Sequence, residues 1–303
     1  MLAREQRDAG SLGMITAMPA PRHSSQYSVR SVDGVRLNLR SWGEGVPRYF
    51  LIHGFGEGSF SWQRFACSLS RSGGALAIDL RGHGDSERDP DATYCPERYV
   101  EDVEWALRTR GLRDIVLIGH SMGAAIAIHA AARCADRVRG LVLVEGGPYL
   151  RRAAVARIRA EFNNQPWRYQ TVEEYSLRLE GKLRLACAAL LRDVAPEALQ
   201  RSAQGGWELK CDPALSNSPE YIDDAEVSKA LARISCPVLL IRGAASSVLS
   251  RAAAERVVAE TLDGRLRSVP GAGHAVMFDN PEGLLAAVTP FLGELHRPAL
   301  AAS

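Results

Sequence analysis

At 303 residues the chain has room for one large core, or for a core and a smaller insertion. Its 46% apolar and 24% charged residues are ordinary globular proportions, and a net charge of +2 without a basic stripe gives no argument for nucleic acid. No apolar run approaches the roughly eighteen residues of a membrane span, and six scattered cysteines argue for packed, reduced thiols, not structural zinc.

Residues 1–24 hold a broken apolar stretch too irregular for a secretory signal; they read as a disordered leader, and the expected address is cytoplasmic. Tyr27 to Trp42 reads as a β-hairpin turning at Asp33-Gly34, a favoured two-residue turn. Arg48 to Ile52 is the first buried strand and runs into His53-Gly54-Phe55-Gly56-Glu57-Gly58. This is no nucleotide loop, because G-K-[ST] is absent and position 59 is serine. A helix to about Ser70 follows, then a strand from Ala75 to Leu80. In Arg81-Gly82-His83-Gly84-Asp85-Ser86 the glycines serve turn geometry, and Arg81, Gly82 and Asp85 read as scaffold. Arg98 to Arg110 is an amphipathic helix with Val100, Val103, Ala106 and Leu107 on one side.

Ile115 to Ile118 is short, β-branched and wholly apolar, as expected of a strand covered on both faces. Gly119-His120-Ser121-Met122-Gly123 comes next, then an Ala/Ile-rich helix to about Ala132. Strand, sharp turn and helix is the setting in which G-x-S-x-G carries meaning: the serine is strained and its neighbours must be glycine. Gly140 to Glu145 is another strand, and the alternation implies right-handed crossovers and a mostly parallel sheet.

From Gly146 to about Ser235 no strand is visible. Helical patches run from Arg151 to Phe162, Val172 to Leu191, Pro196 to Ala203 and Asp224 to Ile234, with Trp167, Tyr169, Tyr175, Trp207 and Tyr221 among them. The strand rhythm resumes at Val238 to Ile241, with a helix from Arg251 to Leu262 and a last strand from Arg265 to Val269. Gly271-Ala272-Gly273-His274 and a helix from Pro281 to Leu295 close the pattern. The expected division is a core of 25–148 and 235–298 with a helical insertion of 149–234.

Over about residues 27 to 296 the chain resembles the α/β-hydrolase superfamily of esterases, lipases, carbon–carbon bond hydrolases, epoxide hydrolases and dehalogenases. The resemblance rests on His53-Gly54-Phe55-Gly56, Asp79 to Ser86, Gly119 to Gly123 and Gly273-His274, in that order. It implies an eight-stranded-type, mostly parallel α/β sheet with an inserted helical cap, no cofactor and no metal. It makes Ser121 the nucleophile and His274 its base, with the backbone N–H groups of Phe55 and Met122 as an oxyanion hole. Gly119 and Gly123 belong to the turn.

The chemistry also follows from the residue types. A serine hydroxyl needs a nearby imidazole to take its proton, and strand carboxyl ends are where a parallel sheet gathers its site. Ser at position 121 disfavours the dehalogenase and epoxide hydrolase chemistries, which use a carboxylate nucleophile. His53 and Gly54 read as support for the oxyanion loop, His120 as support for the turn, and His129 as packed mid-helix. The basic run Arg151 to Arg159 reads chiefly as a solvated helix face. The acid departs from the family pattern: Gly243 to Ser250 contains no carboxylate, and Ser247 stands where relatives often carry aspartate. Glu145, one strand earlier, is the candidate acid, with a Ser121–His274 dyad supported by Ser246 or Ser247 as the alternative.

The expected activity is cleavage of a carboxylic ester or related acyl bond in a small, largely apolar molecule through an acyl-serine. Carbon–carbon hydrolysis, a lyase step, cofactor-free perhydrolysis and a ligand receptor with little turnover are the alternatives. The partners expected are a small-molecule substrate and, at most, a second copy of the chain. Trp167 and Trp207 are expected to line an apolar pocket under the cap.

Overall fold

The computed structural model describes residues 24–218 and 223–296; all but the last residue of the expected leader, 1–24, and Tyr221 lie outside the described residues. The chain begins with β1 (Ser25–Arg30) and β2 (Arg36–Trp42), an antiparallel pair with Arg30 opposite Arg36. Their connection takes Ser31 to Val35, wider than the two-residue turn expected at Asp33-Gly34. Ser31 N–H bonds the Val35 carbonyl at 2.8 Å, and the wider loop delivers Asp33 to Arg81 at 2.9 Å.

The next elements are β3 (Pro47–Ile52), α1 (Gln63–Leu69), β4 (Gly74–Ile78), α2 (Pro96–Thr109), β5 (Ile115–His120), α3 (Met122–Arg133) and β6 (Val138–Val144). The insertion then contributes α4 (Arg152–Asn163), β7 (Arg168–Tyr169), α5 (Val172–Lys182) and α6 (Ala188–Val194). It continues through β8 (Leu199–Arg201), β9 (Trp207–Leu209) and α7 (Asp224–Leu231). The core resumes with β10 (Val238–Gly243), α8 (Arg251–Ala259), β11 (Gly264–Val269), α9 (Val276–Asp279) and α10 (Pro281–Leu295).

Among the described residues, eight strands form one sheet in the order β1-β2-β4-β3-β5-β6-β10-β11. β3 to β6, β10 and β11 pair in parallel, and β2 is antiparallel to both its neighbours. The central strands are buried along their length because helices cover both faces, which is why they read as continuous apolar runs. Val103, Ala127 and Val257 of α2, α3 and α8 pack one face, while Phe65, Leu284 and Phe291 of α1 and α10 pack the other. The carboxyl ends of β3, β5, β6, β10 and β11 therefore open on one edge, and the candidate site residues lie at or just after them.

Three features of the insertion differ from the sequence expectation. β7, β9 and β8 form a small antiparallel sheet, invisible in the sequence because two or three residues cannot display a period of two. Pro196 to Ala203 is accordingly a 3₁₀ turn leading into β8, not a helix. The long helix expected over Val172 to Leu191 breaks after Lys182, past Gly181, and Leu183 to Leu185 face the large cavity instead.

The turn after β4 is held by buried charge, as its scaffold reading anticipates. Arg81, 1% exposed, donates to Asp102, Asp33 and Asp89 at 2.6 to 3.1 Å. Removing the cation strands Asp102 and Asp89, so Arg81→Met should cost about 3–5 kcal/mol in urea unfolding. Arg81→Met/Asp102→Leu should recover part of that loss; a double variant no better than the single one would show that packing, and not charge, is at stake.

Candidate active site

The turn between β5 and α3 leaves no room for side chains at its glycines. Ser121 takes φ 52° and ψ −118°, a region a serine adopts only when its surroundings enforce it. A Cβ on Gly119 would lie 2.2 Å from the Gly123 carbonyl oxygen, and one on Gly123 would lie 2.4 Å from that of His53. Both glycines are therefore demanded by close backbone approach. The turn leaves Ser121 half-exposed at the start of α3, beside β6, whose Val144 carbonyl receives the Ser121 N–H at 3.0 Å.

His274, 153 residues further on, brings Nε2 to 3.0 Å from Ser121 Oγ. Its Nδ1 lies 3.1 Å from Oε2 of Glu145, which follows β6 directly and is 0% exposed. Glu145 also takes a positive φ of 51°, and its N–H donates to the Ile241 carbonyl at 2.9 Å. Gly243 N–H donates to Oε1 at 2.7 Å and the Ser246 hydroxyl to Oε2 at 2.6 Å. A carboxylate can only accept, so Nδ1 carries the imidazole proton and Nε2 is free to accept from Ser121. Ser246 braces the same carboxylate: its oxygen accepts from Val248 and Leu249 N–H while its proton goes to Glu145. Ser247 lies apart, its oxygens facing Arg151 and Arg157 at 3.5 Å.

The loop after β3 faces the same point. His53 Nδ1 donates to the Gly54 carbonyl at 2.8 Å and Nε2 accepts from Leu80 N–H at 3.0 Å, which bolts this loop to the turn after β4. Asp79 adds a second link by accepting from Ser59 N–H. Among the described residues, neither the Phe55 nor the Met122 N–H has a hydrogen-bond acceptor, and both residues border the cavities at Ser121. Two unengaged donors, one at a helix N-terminus, are what an oxyanion requires.

Burial holds the His274 imidazole below its ordinary value; Glu145 pulls it back up and the nearby His120 opposes that. His274 is therefore neutral at neutral pH, the form that can take a proton. His120, buried at the end of β5, directs Nε2 to the His274 carbonyl at 2.9 Å and faces Glu57 with Nδ1 at 3.3 Å. Glu57 escaped the sequence reading, although a carboxylate three residues after Gly54 in so glycine-rich a loop was a visible signal. His129, half-buried on α3, takes no part.

Two cavities meet at Ser121. The larger, about 1090 Å³, is bordered by Phe60, Tyr175 and Leu179 but also by Arg157, Arg178 and Lys182, a more charged wall than expected. The smaller, about 100 Å³, lies past Met122 and Ala125 among Tyr94, Tyr99 and Arg159. Trp167 and Trp207 line neither. Trp167 packs edge-on against Phe162 at 5.2 Å, and Trp207 lies under the Arg201 guanidinium at 4.1 Å. Arg159, expected in a solvated face, is buried, stacks over Phe55 at 4.2 Å and donates to the Ser218 carbonyl. Among the described residues no group of three or more His, Cys, Asp or Glu side chains is arranged to hold a metal ion.

Residues 49–288 match the model of the alpha/beta hydrolase family. This chain belongs to that family. It is 29% identical over 277 residues to a 2-(acetamidomethylene)succinate hydrolase of Mesorhizobium japonicum, covering 91% of this chain and 99% of the relative. An N-formylmaleamate deformylase of Pseudomonas putida is 27% identical, covering 86% of this chain and 94% of its own. A crystal structure of E-2-(acetamidomethylene)succinate hydrolase superposes with a TM-score of 0.80 at 28% identity, over 89% of this chain and all of that one. With named hydrolases among full-length relatives, this family member is an enzyme, and the receptor alternative is set aside.

Glu145→Gln should lower kcat by two to four orders of magnitude with KM changed only a few-fold, because the carboxylate matters most once the imidazole is charged. A base must be neutral to act, and the His274 value is lowered; with His274 in that role, wild-type kcat/KM should persist below pH 6.5 and fall only as the pH drops through that lowered value. Steady-state kinetics from pH 4 to 9 check both; a Glu145→Gln enzyme of near-normal kcat leaves a dyad.

Proposed function

We propose that the enzyme hydrolyses an ester or amide acyl bond of a small carboxylate-bearing molecule through an acyl-serine. The observation that carries this reading is the unbroken chain from Ser121 Oγ through His274 to Glu145, at 3.0 and 3.1 Å, placed where the two cavities join. Ser121 attacks the carbonyl as His274 Nε2 takes its proton, and the developing oxyanion is received by the N–H groups of Phe55 and Met122. The imidazolium, steadied by Glu145, returns the proton to the leaving alcohol or amine. His274 then activates water to release the acid. The insertion, reaching this edge with Phe162, Tyr175 and Leu179, serves as the cap that limits water and shapes the substrate.

The sizes of the cavities divide the substrate. At about 100 Å³ the inner one lies between the space of a single water and the ~150 Å³ that admits a benzene, so it takes an acyl group of a few heavy atoms. The larger cavity receives the remainder, and Arg157, Arg178 and Lys182 on its wall suit a carboxylate. The names of two relatives agree with this division: one is an N-formylmaleamate deformylase and the other a 2-(acetamidomethylene)succinate hydrolase.

A panel of p-nitrophenyl acetate, butyrate and octanoate, with N-formyl and N-acetyl amides bearing carboxylates, tests the reading. Short acyl groups should be favoured, and Ser121→Ala should abolish both turnover and labelling by a fluorophosphonate while the fold remains. Turnover by a wild-type enzyme that takes no label would exclude an acyl-serine. Ala125→Ile should narrow the inner pocket, lowering kcat/KM for butyryl relative to formyl substrates by roughly 10–200-fold. An unchanged acyl preference would place the acyl group in the other cavity.

A further inference from the structure

Two side chains outside the proton relay tie its loops together. Glu57, in the turn after β3, accepts from Gly54 N–H at 3.0 Å and so fixes the backbone immediately before Phe55. The same carboxylate stands 3.3 Å from His120 Nδ1, and the opposite nitrogen, Nε2, lies 2.9 Å from the carbonyl oxygen of His274. Both neighbours of the His120 ring are acceptors. The ring satisfies both only by carrying two protons, which makes it an imidazolium. Its side chain is 2% exposed and that of Glu57 21%, so water screens the pair poorly. The His120 and His274 ring centroids are 4.9 Å apart.

We infer that Glu57 and His120 act as a positioning pair: an ion pair that clamps the oxyanion loop to the segment carrying the base and opposes a second positive charge on His274. Glu57 is held to a carboxylate down to about pH 2: burial pushes it up, but His120 and the Gly54 N–H outweigh that. His120 moves the other way, raised above its ordinary value because Glu57 and the His274 carbonyl outweigh the cost of burying its charge. The groups facing His274 come from every neighbouring element: Glu145 after β6, His120 at the end of β5, Glu57 after β3, and Asp279 on α9, which receives Gly273 N–H at 2.8 Å. Lys182 and Arg184 stand across the cavity. Of the Glu57–His120 pair the cation has the larger effect on His274, so losing both charges should raise the affinity of His274 for a proton.

This inference rests on His274 as the base, and its test reads the rings directly, without substrate. Histidine NMR titration of the full-length enzyme should find His120 protonated at pH 7 while His274 is neutral. Glu57→Gln and His120→Gln should each raise the His274 midpoint, and Glu57→Asp should restore it in part. In kinetics, both variants should lose roughly tenfold more kcat/KM on the acid limb than at pH 9, the consequence of about one unit of midpoint movement. A wild-type His120 that is neutral at pH 7, or an unmoved His274 midpoint in His120→Gln, would overturn the proposal. His120→Gln keeps a donor for the His274 carbonyl and serves if Glu57→Gln does not fold. Fluorophosphonate labelling of Ser121 reports separately on the acyl-serine reading.

Discussion

Everything at this edge of the sheet depends on how closely the backbone passes itself at Ser121. The positive φ of the serine is unfavourable in isolation and is sustained by surroundings packed to the limit of contact. Gly119 and Gly123 touch each other and the end of β3, and a Cβ on Gly146 would stand 2.6 Å from the Ser121 carbonyl. Three strands thus converge on one turn, each contributing a glycine or a backbone carbonyl where a larger residue would force them apart. The strain is local, and its cost is met by the apolar core that β3, β5 and β6 share. The same crowding sets Glu145, also at positive φ, within reach of a histidine from a different strand.

Around that turn the buried charges are organised by pairing. Arg81 is surrounded by three carboxylates, Glu145 by three donors, and Glu57 by Gly54 N–H and His120. A lone buried charge would cost several kcal/mol, so each of these groups is held in place by its partners as much as it holds them. The Asp79–Ser59 and His53–Leu80 bonds extend the same logic to the backbone, making the loops after β3 and β4 one unit. Rigid loops suit a site whose donors must be aimed before charge develops.

The insertion contributes shape more than chemistry. Leu183 to Leu185, past its break after Lys182, border the large cavity, whereas Trp167 packs on Phe162, which in turn meets Phe55 at 4.6 Å, and Trp207 packs under Arg201. Arg159 joins the two parts by stacking on Phe55 from α4. Side chains of the insertion therefore press on Phe55 in the loop after β3, which couples their packing to the geometry of the candidate site.

The parallel sheet, the family and the Ser121 and His274 candidates were legible from the sequence alone, because their signals are local. Apolar runs report burial, and G-x-S-x-G reports a turn too tight for side chains. The sequence narrowed the acid to Glu145 or none, from an absence in Gly243 to Ser250, but could not choose. Only the tertiary structure brings Glu145 and His274, 129 residues apart, to 3.1 Å, with Ser246 donating to the same carboxylate. The wider hairpin, the three short strands, the burial of Arg159 and the Glu57–His120 pair were likewise decided only by tertiary structure. Each depends on a partner distant in sequence or on an element too short to show a period, and neither leaves a pattern in a single chain.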